Sequence, residues 1–456
     1  MAGRPRAPRS LPPLLRLCTL SALVLGTALA RSPASGGGWT TYGASTARHS
    51  AQDAGPPLDA VRVFWRSPHL DGAIHGEALI NDGRVDVATE GDTVYALSAT
   101  SGRVIWRTQL GRPVPASALP CGDLTPTVGV TSTMVLDTAT GMLFASAEVL
   151  ENGEIRHELV ALSAQTGAIE WRRQLPVPGA TAAQLQRAAL TLDTGRVVVG
   201  FGGNYGDCGD YRGALLGVPE SGRGAIVEYV VPTTREGAVW APSGESVDAA
   251  GDIFFATGNG SSTTRYDEGD SVIELGANFR RRAFFAPSDW RQLNASDGDL
   301  GSSAPMVLSG HRLLIVGKNV TAYLLSSTHL GGFGPPLASV TACFSIGGDA
   351  YLPPDAYIAC PGATLLALRV GARSLRVLWR GPAGTSGSPT VAGGLVWVLG
   401  NGHLHGLVPS TGHPRVDVPV INTEPYVAPS AGGGLLVVPG AEQVEAFIGV
   451  RRHAVR

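Results

Sequence analysis

Apolar and polar positions along this chain fall into one recurring phrase. Val94-Tyr95-Ala96-Leu97 leads through a Ser-Gly turn to Val104-Ile105-Trp106, and Leu159-Val160-Ala161-Leu162 leads through Thr166-Gly167 to Ile169-Glu170-Trp171. The phrase predicts a strand, a tight glycine turn and a second strand ending in tryptophan. Fainter copies end at Val218, Leu275, Tyr323, Leu368, Leu407 and Phe447, which makes eight anchors. Upstream of most lies another apolar strand, such as Val85-Asp86-Val87-Ala88, Ile253-Phe254-Phe255-Ala256 or Leu395-Val396-Trp397-Val398. Units of this kind cannot bury their own apolar faces and must stack on neighbours. The expected fold is all-β: an eight-bladed β-propeller of four-stranded antiparallel blades.

The ends of the pattern suggest how the ring closes. The last unit has no strand carrying the tryptophan, whereas Val61-Arg62-Val63-Phe64-Trp65 is an orphan strand ahead of the first unit. Used as the outer strand of the last blade, it removes an exposed edge. Trp106, Trp171 and Trp379 occupy equivalent positions and are expected to pack between blades.

Composition agrees with a fold made of turns: 61 of 456 residues are glycine and 32 are proline. Charged residues make up 16% of the chain and the net charge is −2, with no basic run interleaved with aromatics beyond the first sixteen residues, so nucleic acid is not an expected partner. Residues 1–30 combine four arginines, a short apolar stretch and Ala28-Leu29-Ala30, the pattern of a cleaved secretory signal peptide. This predicts a secreted or periplasmic protein with no stable membrane span after cleavage. Residues 31–57, rich in Ser, Gly, Ala and Pro, read as a flexible leader to a single propeller domain over 58–450.

Export also bears on the cysteines. Cys343 and Cys360 flank one extended loop and are expected to be bonded, and Cys121 and Cys208, on loops of adjacent blades, are a second expected pair. No CxxC or CxxCH motif occurs. His403 and His405 share one face of a strand but lack a third ligand.

The phrases YALSATSGRVIW and VALSAQTGAIEW resemble the repeats of the pyrroloquinoline-quinone (PQQ) β-propeller superfamily over roughly residues 60–449. That superfamily includes quinoprotein alcohol dehydrogenases and the BamB-type outer-membrane assembly lipoprotein, so the resemblance implies a fold more than a chemistry. Two functions are therefore carried forward. One is a binding or scaffold module for an extracytoplasmic protein, glycan or envelope partner. The other is a calcium- and PQQ-dependent alcohol or sugar dehydrogenase. For the second, the resemblance implies that Asn259 of Ala256-Thr257-Gly258-Asn259-Gly260 binds calcium and quinone, and that Asp299 removes the substrate proton, with Asp289 as its rival. Asp267 and Asp270 are further oxygen donors, and Trp240 is placed to support a planar ring. The same residues also suit plain turns: Asn-Gly favours a hairpin, and Asp297 and Asp299 suit turn capping. The adjacent cysteine pair typical of the dehydrogenases is missing.

Overall fold

The computed structural model describes residues 1–3, 37–52 and 57–450. The propeller belongs to the unit Ser35–Arg456, and the expected signal peptide lies outside the described residues except for its first three. Among the described residues no helix is long and apolar enough to cross a membrane.

The ring has eight blades, each with an antiparallel sheet of four strands running from the axis outward. Blade 1 is Leu79–Asn81, Arg84–Ala88, Thr93–Ser98 and Val104–Gln109. Its third strand is buried along almost its whole length, whereas its outermost strand alternates between exposed and half-buried. An inner strand has a neighbouring blade against both faces, so it is apolar on both; alternation returns only at the rim. The core accordingly lies between blades. Phe144, Leu159 and Ala161 of blade 2, for example, pack on Val197, Val199 and Leu216 of blade 3.

Closure follows the expectation. Val61–Arg66 pairs antiparallel with Val444–Gly449, placing Trp65 opposite Ala446, and so completes blade 8. The repeated tryptophan does the same work in several blades. Trp65 Nε1 donates to the Ala99 carbonyl at 2.8 Å, Trp106 to Ala164 at 3.1 Å, Trp171 to Glu220 at 3.2 Å and Trp379 to Pro409 at 2.9 Å. Each ring covers a left-handed glycine in the next blade's turn, at Gly102, Gly167, Gly222 and Gly412, where a Cβ would come within 2.5 to 2.6 Å of the indole. Glycine serves there twice, for its positive φ and for its missing side chain.

Two expectations need correction. Residues 37–52 are not a loose leader but run along the axis of the ring. Trp39 pairs with Ile80 of blade 1, Thr40 O accepts from Leu136 N of blade 2, and the Arg48 guanidinium donates to the Leu190 carbonyl of blade 3. Thr46, Ala47, His49 and Ser50 then offer carbonyls to Val247, Val307, Tyr351 and Val391 of blades 4 to 7. Ala51–Gln52 finishes as a short parallel strand beside Thr390–Ala392. Trp39 and Arg48 are fully enclosed. The segment's backbone carbonyls satisfy the inward-facing amides of the blades, while Trp39, Tyr42 and Arg48 fill the space at the axis. The second correction concerns the cysteines. Cys343–Cys360 is bonded, with Cα atoms 5.8 Å apart, but Cys121 and Cys208 are free thiols.

Candidate functional site

On one face of the ring, the turn after each blade's second strand meets the segment entering the next blade. Asn259 follows the strand Ile253–Ala256 of blade 4, Asp299 lies in the segment leading to Met306–Leu308 of blade 5, and Lys318 follows Arg312–Val316. Together with Trp240 they line a cavity of about 340 Å³ at the axial mouth.

The polar groups there are closely engaged. Asn259 N–H donates to Asp299 Oδ1 at 2.8 Å, and its side-chain amide to Asp297 Oδ1 at 3.2 Å. Lys318 Nζ donates to Asp299 Oδ2 at 2.6 Å and to Asp297 Oδ1 at 2.8 Å, and it stands 5.3 Å from the centre of the Trp240 ring. Gly258 makes this approach feasible, since a Cβ there would lie 2.6 Å from Asp299 Oδ1. Burial raises the Asp299 carboxyl against the lowering pull of Lys318 and the Asn259 N–H. Burial pulls the Lys318 ammonium down, but Asp299 and Asp297 more than offset this and raise it. Asn259 Oδ1 is buried with no partner. Across the cavity, Arg187 lies over the Tyr426 ring at 5.7 Å, and the Tyr211 hydroxyl donates to Asp207.

The structure thus gathers Trp240, Asn259 and Asp299 around one space and leaves the other expected residues outside it. Asp289 is exposed ahead of the short helix Trp290–Ala295. Asp267 accepts from Thr233 Oγ1 at 3.0 Å and Ser262 N at 3.1 Å, so it braces its own loop. Asp270 accepts from Leu300 N at 2.9 Å, and burial raises its carboxyl well above the usual range. His403 and His405 stack with ring centroids 6.0 Å apart beside Asp417, on the outer strands of blade 7.

Known proteins share this architecture. A family model described as outer membrane protein assembly factor BamB matches residues 58–279. The quinohemoprotein alcohol dehydrogenase ADHIIG of Pseudomonas putida HK5 superposes with a TM-score of 0.70 at 14% identity, over 92% of this chain and 82% of that one. A europium-containing methanol dehydrogenase gives 0.68 at 12% identity, over 90% of this chain and 98% of that one. BamB from Moraxella catarrhalis gives 0.58 at 14% identity, over 85% of this chain and 100% of that one. The chain has the fold of a PQQ-like β-propeller. No curated protein matches its sequence. At these identities the likeness is one of fold, and the fold is common to dehydrogenases and an assembly factor.

The quinone and calcium that the sequence resemblance implies can be tested against the residues of this propeller. Both Asp299 oxygens are engaged, one by an ammonium, and Asp267 and Asp270 do not reach the cavity. Among the described residues no three His, Cys, Asp or Glu side chains converge as a metal shell requires. Calcium takes six to eight oxygens, so this donor set does not fit it. The lining holds five carboxylates, from Asp123, Asp207, Glu236, Asp297 and Asp299, against two cations, Arg187 and Lys318. A flat tricarboxylate such as PQQ meets the wrong sign of field there.

Sequence reasoning passed over Lys318. A signal was present: it is the only lysine among 35 basic residues. Arg187 was likewise missed; it lies just beyond the short strand Gln184–Leu185.

Proposed function

We propose that this propeller is a binding module whose axial cavity takes a polyhydroxylated ligand, such as the end of a glycan. The observation that carries the reading is the lining itself: aromatic rings of Trp240, Tyr205 and Tyr426 beside Asn204, Asn259 and an excess of carboxylates. Rings offer flat apolar faces to the C–H surface of a sugar, and carboxylates and amides exchange hydrogen bonds with neighbouring hydroxyls. A neutral polyol carries no charge for the acidic lining to oppose.

A single lysine makes the test direct. Reductive methylation with ¹³C-formaldehyde labels Lys318 and the amino terminus, and gives one cavity resonance. Titration with a panel of oligosaccharides is expected to move that resonance saturably. PQQ, with calcium or with a chelator, is expected to leave it in place. Saturable PQQ binding with calcium, followed by dye reduction in the presence of alcohols or sugars, would replace this reading with the dehydrogenase one. Silence towards every sugar would remove the glycan reading and leave a protein-binding scaffold.

A further inference from the structure

The mouth of the cavity is bounded by two loops from separate blades. One, between blades 1 and 2, carries Cys121 and Asp123. The other, inside blade 3, carries Asn204, Tyr205, Asp207 and Cys208. The two free thiols face each other across this seam. Cys208 N–H donates to Cys121 Sγ at 3.2 Å, and the two side chains lie within hydrogen-bond reach. A Cβ placed on Gly206 would sit 3.6 Å from one sulfur and 3.9 Å from the other. Both cysteines are partly exposed, so a reagent can reach them. A narrow gap separates the loops, lined by Cys121, Gly122, Asp123, Asn204 and Tyr205. Gly122, Gly206 and Gly209 take positive φ, a backbone conformation that L side chains would resist. Tyr205 is the most exposed aromatic of the cavity lining, at 74%.

We propose that Cys121 and Cys208 form a reversible disulfide that ties these loops together and narrows the mouth of the cavity beneath Tyr205. The device rests on the cavity being a ligand site, which is the functional reading above. A small disulfide such as oxidised glutathione supplies the oxidising equivalents. One cysteine thiolate attacks it, forming a mixed disulfide and releasing one glutathione thiolate. The second cysteine then displaces the other glutathione and closes the Cys121–Cys208 bond. Two protons and two electrons leave as two molecules of reduced glutathione. Burial and the neighbouring Cys208 raise the Cys121 thiol, so the exchange runs faster towards alkaline pH.

Lys318 reports on access without any ligand. The full chain is treated with oxidised glutathione or with dithiothreitol, the pairs are mapped by peptide mass spectrometry, and a biotin N-hydroxysuccinimide ester is added to follow labelling of Lys318. The expected result is a Cys121–Cys208 peptide pair that dithiothreitol reverses, with Lys318 labelled roughly tenfold more slowly in the oxidised protein. Cys208→Ser is expected to label at the reduced rate under both conditions. If oxidised, folded protein contains no Cys121–Cys208 pair, the proposal is overturned. It is equally overturned if the pair forms and the labelling rate is unchanged. Neither readout uses a sugar, so a failure of glycan binding would count against the functional reading alone.

Discussion

Lys318 sits against two carboxylates and an indole, and its side chain is 14% exposed against 9% for Asp299. A charged hydrogen bond in such surroundings contributes about 2 kcal/mol. Lys318→Met leaves the Asp299 carboxylate enclosed without its cation, so unfolding in urea is expected to show a loss of about 2 kcal/mol. Asp299→Asn is expected to cost less, and adding it to Lys318→Met should restore part of the loss, because the stranded charge has gone. Strict additivity of the two changes would mean that the pair is not coupled. Of this arrangement, Asn259 and Asp299 were legible through the family resemblance, and Trp240 because it lies off the repeated tryptophan position. Lys318 lies in Gly317-Lys318-Asn319, which carries neither mark, and its role appears only once blade 5 is set beside blade 4.

Among elements, the tryptophan strand and the glycine turn form one joint between successive blades. Trp65 carries that joint across the seam where the chain ends meet, and it is 7% exposed. Trp65→Ala opens a gap over Gly102 and removes the bond to Ala99, for an expected loss of about 3 kcal/mol in denaturant unfolding. Gly167→Val attacks the same joint from the other side, since its Cβ would strike the Trp106 ring at 2.5 Å and its φ is +73°; a comparable loss is expected. A Trp65→Ala protein as stable as the parent would mean that the blade 8 seam is held by the rest of the strand. The axial segment is a second such element. Arg48 donates to carbonyls of Glu245, Tyr42 and Leu190, and Glu245 and Glu77 both act on its charge. Arg48→Met strips those carbonyls of their donor, and a loss on the order of 3 kcal/mol is expected in the same measurement.

The whole molecule holds an unusual store of buried acid. Burial pushes Glu77 up to about 8, Asp86, Glu90, Glu245 and Asp349 up to about 7, and Asp92 up to about 9. Above the ordinary carboxylate range the unfolded chain has released these protons while the folded one keeps them. Stability therefore falls as pH rises through the window that ends at those values. Buried His75 and His157, driven down to about 3 and about 4 by burial, work in the opposite direction: their contribution is lost as pH falls below about 6.5. Above that pH the histidines no longer titrate and the acids decide. The thermal midpoint is expected to drop steadily from about pH 6.5 to about 9 in scanning calorimetry. Both Asp92 oxygens are buried without partners, so Asp92→Asn should raise the midpoint at the alkaline end and flatten the slope. A midpoint that climbs over this interval would contradict the assignment.

Taken by itself, the chain determined the ring and its closure. Strand, turn glycine and tryptophan lie within a dozen residues of one another, and each blade repeats the same local demand, so the period records the architecture. The faint copies ending at Val218 and Tyr323 proved to be true blades because stacking depends on apolar strands more than on the wording of the turn. The cavity was decided by tertiary structure. Its residues come from loops between Asp123 and Tyr426, and polar loops look alike until a ring brings some of them to the axis. The path of residues 37–52 was decided there too, because the amides that its carbonyls meet belong to separate blades that only the closed ring brings to the axis.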